Sequence, residues 1–211
     1  MNSDEALLAA WREGDARAGN QLVKQHFVAV YRFFRNKVDG DLDELVQTTF
    51  SRLTKGVERI EGGAFRAYLF GVARNVLREH YRARAQHRDA IDFEAQSVAD
   101  LGTTPTGALA RKEDHRLLLA ALRTIPIEDQ VALELVYWEG MKGRELAAVM
   151  EVPEGTARSR LRSAKLSLEA ALAQLARSPE SLASTQDNLE RWTAAIRDYL
   201  GEAAPEDAAV Q

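Results

Sequence analysis

Apolar side chains recur at intervals of three and four along residues 3–84, and that period predicts four helices. The first, 3–13, carries Leu7, Leu8 and Trp11 behind Ser3, a residue type suited to capping. The second, 17–38, aligns Val23, Phe27, Val30, Phe34 and Val38. The third, 41–55, carries Leu42, Leu45, Val46, Thr49, Phe50 and Leu53, with Asp41, Asp43 and Glu44 in its first turn, where the helix dipole favours anions. A loop over 55–63, broken by Gly62-Gly63, leads to a fourth helix, 64–84, striped by Phe65, Leu69, Val72, Val76 and His80.

The pattern then changes. Residues 89–108 hold Asp89, Asp92, Glu94 and Asp100, no Lys or Arg, and the run Gly102-Thr103-Thr104-Pro105-Thr106-Gly107, which reads as a flexible acidic linker. Periodicity resumes over 109–177, punctuated by Pro126, Gly140, Gly143 and Pro153-Glu154-Gly155. Within it, 142–152 predicts a short helix with Leu146, Ala147 and Val149. A tight Pro153-Glu154-Gly155-Thr156 turn follows, then a helix with Leu161, Ala164, Leu168, Leu172 and Leu175. This is a helix-turn-helix pattern, whose second helix enters the major groove by its N-terminal end. Beyond Ser178-Pro179 an extension, 178–211, places Leu189, Trp192, Ile196, Tyr199 and Leu200 on one stripe, opened by Ser184 or Thr185 and stopped by Gly201, before a polar end expected to be disordered. The expected fold is all-α: a domain at 1–88, the linker, a second domain at 109–177 and the extension.

Composition removes several functions. The 211 residues include no Cys, so disulfides, thiolate zinc sites and thiol nucleophiles are excluded. His80 and His87 stand alone, no HExxH or GxSxG motif occurs, and neither a phosphate-cradling glycine loop nor a carboxylate pair is evident. No metal, cofactor or enzymatic activity is therefore expected. The start of the chain is acidic where a signal peptide is basic, and no uncharged apolar run reaches membrane-span length; a soluble cytoplasmic protein is expected.

The net charge of −4 argues at first against nucleic acid, because DNA affinity is largely phosphate neutralisation. Split along the chain it argues the opposite. Residues 66–88 hold six Arg against Glu79, and 155–168 hold Arg158, Arg160, Arg162 and Lys165 without an acid, so −4 is +5 and +4 on two helices and −13 elsewhere. Helical spacing puts Arg74, Arg78 and Arg82 on one ridge with Asn75 beside it, predicted to face outward from the apolar stripe. Arg158, Arg162 and Lys165 share a face about a quarter turn from the leucines of the later helix. A solvated basic face is the plainer alternative for either helix alone.

At these residues the sequence resembles bacterial sigma factors of the extracytoplasmic-function (ECF) group. Asp43-Glu44-Leu45-Val46-Gln47-Thr48-Thr49-Phe50 is similar to that family's polymerase-clamp helix. Phe65-Arg66-Ala67-Tyr68-Leu69-Phe70-Gly71-Val72-Ala73-Arg74-Asn75 is similar to the start of its promoter-melting helix, and 140–168 to its C-terminal helix-turn-helix. The resemblance implies a promoter-specificity subunit of RNA polymerase. The first domain would open the −10 element through Phe65, Arg66, Tyr68, Arg74, Asn75, Arg78 and Arg82, with a base held at the 55–64 loop. The second would read the −35 element through Thr156, Arg158, Ser159, Arg160, Arg162 and Lys165. Asp41, Asp43, Glu44, Gln47 and Phe50 would meet a basic coiled coil on the largest polymerase subunit, the second domain the flap region, and the linker the RNA exit path. Little promoter affinity is expected without core polymerase. Phe65 and Tyr68 have core packing as their alternative role.

Thr48 stands where the family usually has Glu. Either this is drift, or phosphorylation of Thr48 or the less accessible Thr49 restores about −1.5 to −2 charges there. Tyr68 replaces a common Trp. The extension either caps the second domain or masks a binding surface, and an anti-sigma protein or a Ser/Thr kinase remains open as partner. The competing reading is a stand-alone helix-turn-helix repressor or activator, which predicts a dimer on palindromic half-sites.

Overall fold

A computed structural model describes residues 3–61, 63–84, 91–100 and 113–175. The C-terminal extension with its striped helix, the second half of the predicted linker, and Arg88 lie outside the described residues. Among the described residues, eight α-helices run in the order α1 (Ser3–Arg12), α2 (Ala16–Arg35), α3 (Leu42–Lys55), α4 (Phe65–Arg84), α5 (Glu113–Thr124), α6 (Ile127–Tyr137), α7 (Gly143–Met150) and α8 (Glu154–Leu175), with a 3-10 turn at Val57–Arg59. Among the described residues no strand forms, and no helix is long and apolar enough to cross a membrane.

Each helix forms where its apolar stripe finds a partner. The Asp15 carboxylate caps α2 by accepting from the amides of Arg17 and Ala18. The helix then buries Leu22, Phe27, Val30, Phe33 and Phe34 against α3 and α4. Trp11 of α1 lies across Gly19, where a Cβ would come within 2.6 Å of the indole, so that helix pair depends on glycine.

The interior is continuous between the two predicted domains. Helix α6 is buried nearly all round. Ile127, Val131, Ala132 and Leu135 join the core of α1 to α4 together with Leu146, Val149 and Met150 of α7, while Leu133 joins Leu118, Leu122, Trp138, Leu168 and Leu172 in a second cluster.

Two expectations need correction. The first half of the predicted linker is folded: Phe93 and Val98 are buried, and the carbonyls of Gln96 and Phe93 accept from the amides of Ile127 and Glu128 at 3.0 and 3.2 Å. Residues 91–100 thus occupy donors that the first turn of α6, headed by Pro126, would otherwise leave open. Three apolar side chains, Ile91, Phe93 and Val98, had been outweighed by the acids around them. The second correction concerns the helix-turn-helix. Its turn is made by Glu151, left-handed at φ 57°, and Pro153-Glu154-Gly155 belongs to the turn's exit and the start of α8.

Candidate nucleic-acid interface

Helix α4 does not present its arginines as one outward ridge. Arg74 is only 3% exposed; its Nε donates to Glu128 Oε2 at 2.9 Å and its Nη1 to the carbonyl of Val149 at 3.3 Å. Arg78, one turn on, donates to Glu128 Oε1 at 2.9 Å and lies over the Phe93 ring. Asn75 and Arg82 remain exposed, with the Arg82 guanidinium 5.9 Å from the same ring. The spacing was legible. The inward turn of Arg74 was not, because its carboxylate lies 54 residues away.

The two aromatics divide. Phe65 is buried, tilted against His26 with ring centroids 5.2 Å apart, so its ring belongs to the core. Tyr68 is half-buried, and its hydroxyl lodges against Gly56, in space that any Cβ would fill. Between them the Arg66 guanidinium donates to the carbonyl of Glu139. Tyr68, Asn75, Arg78, Glu79 and Arg82 of α4 line one groove together with Arg52 of α3. Arg52, which no sequence motif marks, grips Glu79 through two hydrogen bonds of 2.7 and 2.6 Å, and this holds the Glu79 carboxyl below the usual carboxylate range.

On α3, Asp41, Asp43, Glu44 and Gln47 are exposed. Asp41 adopts φ 38° and lies 3.6 Å from Arg84 of α4. Phe50, expected on the same surface, packs in the core with its ring centroid 6.1 Å from that of Phe27. Thr49 is fully buried and its hydroxyl donates to the carbonyl of Leu45 at 2.8 Å, which removes it as a modification site. Thr48 is half-buried and opens onto a groove that also receives Arg52, His80 and Arg84.

The helix-turn-helix offers a more open face. Thr156, Arg158, Ser159 and Arg162 are all exposed at the start of α8. Glu154 pairs with Arg158 one turn on, which lowers the pKa of the carboxyl and raises that of the guanidinium. Ser159 donates to the carbonyl of Thr156 at 2.9 Å. Arg160 pairs with Glu94 of the folded 91–100 segment, and Lys165 leans over the Tyr137 ring at 5.3 Å. These two are therefore tied to other elements of the chain, whereas Arg158, paired only with Glu154 one turn back, and Arg162 are exposed near the N-terminal end of α8.

The described residues contain no group of three or more His, Asp or Glu placed to hold a metal ion.

Residues 22–87 match the family model Sigma-70 region 2, and residues 115–176 match Sigma-70, region 4. The ECF RNA polymerase sigma-E factor of Haemophilus influenzae is 26% identical over 185 residues, spanning 79% of this chain and 94% of that one. The protein of the same name from Escherichia coli K12 is 27% identical over 180 residues, 79% and 93% of the two chains. Among solved structures, CnrH in complex with the cytosolic domain of CnrY shares the fold with a TM-score of 0.61 at 24% identity, covering 82% of this chain and 99% of that one.

Proposed function

Since this chain belongs to the sigma-70 family of RNA polymerase sigma factors, within the ECF group, we propose that it is a promoter-specificity subunit that directs transcription initiation. The carrying observation is that regions 2 and 4 occur in order, with Arg158 and Arg162 exposed on α8 and Asn75 and Arg82 exposed on α4. Arg158 and Arg162 of α8 suit duplex readout at the −35 element, through bidentate bonds to guanine edges or phosphate clamps, with Thr156 near the phosphate-attracting helix N-terminus. Tyr68, Asn75 and Arg82 suit the −10 element, where a base extruded from the duplex stacks and the strand's backbone follows the arginines; stacking of this kind is worth about 1–3 kcal/mol per base.

The exposed acids Asp41, Asp43 and Glu44 support a docking role toward a basic coiled coil of core polymerase. Thr48 interrupts that acidic face, and a phosphate there would add about −1.5 to −2 charges. We assign Thr48, and not the buried Thr49, as the position at which a Ser/Thr kinase would restore polymerase binding. CnrH is held by the cytosolic domain of CnrY, and an anti-sigma protein is the corresponding class of partner here.

The test is transcription in vitro with core polymerase on genomic DNA, followed by mapping of start sites, using the wild-type chain, Thr48→Glu and Thr48→Ala. Polymerase-dependent initiation at discrete sites is expected, stronger with Thr48→Glu than with Thr48→Ala. Initiation by neither, together with dimeric binding to palindromic sites by the protein alone, would overturn this reading in favour of a stand-alone regulator.

A further inference from the structure

We propose that Glu128 is an internal competitor for nucleic acid: its carboxylate occupies the arginine pair of α4 that would otherwise take a strand phosphate, so the closed chain withholds that surface. This rests on the promoter-specificity reading for the role of α4. Three observations carry it. Arg74 and Arg78 stand one helical turn apart and converge on the two oxygens of a single anion, with Nε contacts of 2.9 Å each and Arg78 Nη2 at 2.8 Å. Two guanidinium groups converging on one oxyanion is also an arrangement that suits phosphate. Glu128 is 1% exposed and its amide is fixed to Phe93, so it is held at the site as part of the fold. Finally, the next residue of the same ridge, Arg82, stays exposed, which leaves a foothold for a strand beside the occupied pair.

Exchange of one anion for another explains how such a contact can open. Removing Glu128 with no replacement would leave a buried guanidinium without its counter-charge, which is strongly unfavourable. A phosphate arriving along α4 fills the same donors while Glu128 returns to water, so the exchange offsets the loss of this contact and couples strand binding to the parting of α6 from the core it shares with α4. Glu151, exposed and 3.6 Å from Arg74, reinforces the closed state from the rim.

The full chain can be tested directly. A fluorescein-labelled single-stranded DNA dodecamer of mixed sequence is titrated with wild type, Glu128→Gln, Glu151→Ala and the triple variant Glu128→Gln/Arg74→Ala/Arg78→Ala, reading anisotropy, with helicity checked by circular dichroism. Because the chain has no Cys, dyes on cysteines introduced at the exposed positions Gln21 and Ala170 report domain separation. Glu128→Gln is expected to bind the dodecamer about tenfold more tightly, near 1.4 kcal/mol, and to separate the dyes; Glu151→Ala gains less, in the same direction, and the triple variant loses the gain. A folded Glu128→Gln with wild-type affinity and dye distance overturns the inference. Should Glu128→Gln fail to fold, Glu151→Ala decides, and equality with wild type overturns it. Promoter-dependent initiation by wild type with core polymerase separates these outcomes from failure of the functional reading, since it tests that reading with residue 128 unchanged.

Discussion

Burial governs the behaviour of His26. Its ring lies 3.0 Å from the Asp4 carboxylate and against Phe65, yet desolvation outweighs the acid and depresses its pKa below 6.5. His80 is shifted in the same direction, again chiefly by burial. Below 6.5 the unfolded chain therefore takes up protons that the folded chain refuses. The stabilising contribution is fully present above that value and is lost as pH falls from 6.5 toward the folded pKa. The thermal midpoint is expected to drop between about pH 7 and 5, with a slope bounded by about 1.4 kcal/mol per pH unit for each such histidine, and to drop less in His26→Gln. Gly56 gives a second test. Its missing Cβ houses the Tyr68 hydroxyl, so Gly56→Ala should cost about 1–3 kcal/mol in chemical denaturation, and Tyr68→Phe should restore part of it. Residue types along α3 and α4 were legible in the sequence. Thr49 and Phe50 lie on the apolar stripe and are buried as the period requires, whereas the inward turn of Arg74 depends on Glu128, which no local pattern announces.

Among elements, the 3.6-residue period located the helices of the first domain to within three residues at either end, because each has one apolar face and one partner. The period weakens where a helix is covered on several sides. Helix α6 carries buried Glu128, Gln130 and Glu134 between its apolar positions, and so gives no amphipathic signal. The segment 91–100 differs from its reading for a related reason, since Glu94 is the partner of Arg160 on α8, Asp100 accepts from Ser97 within the segment, and its few apolar side chains do the packing. Helix α8 is the element whose exposed face carries a sharp prediction. Arg158→Ala and Arg162→Ala should each lower initiation from a −35-dependent promoter and reduce the salt slope of duplex binding by polymerase holoenzyme by about one, without moving the thermal midpoint of the free chain.

At the scale of the whole molecule, two-domain patterning coexists with a shared interior crossed by buried charge. Lys37 is fully buried, donates to the carbonyl of Phe33 at 2.7 Å and pairs with Glu134 of α6. Burial pushes the lysine pKa down and the glutamate pKa up, each opposed by the partner's charge. Lys37→Met alone should destabilise by about 3–5 kcal/mol in urea unfolding, while Lys37→Met/Glu134→Leu should recover most of that loss, because the cost lies in the abandoned charge. Arg32 with Glu139 and Arg123 with Asn36 continue the seam, so the acidic majority of the chain is spent partly on its own basic residues. The seam is joined by the folded segment 91–100 in a particular way. Phe93 lies beneath Arg78 and Arg82 of α4, and the very next residue, Glu94, holds Arg160 of α8. Neighbouring residues of a chain are about 3.8 Å apart, so neither grip can let go far without dragging the other. Helices α4 and α8 are geared to a single tooth, and in hydrogen exchange the amides around Phe93 and the first turns of α6 should open together.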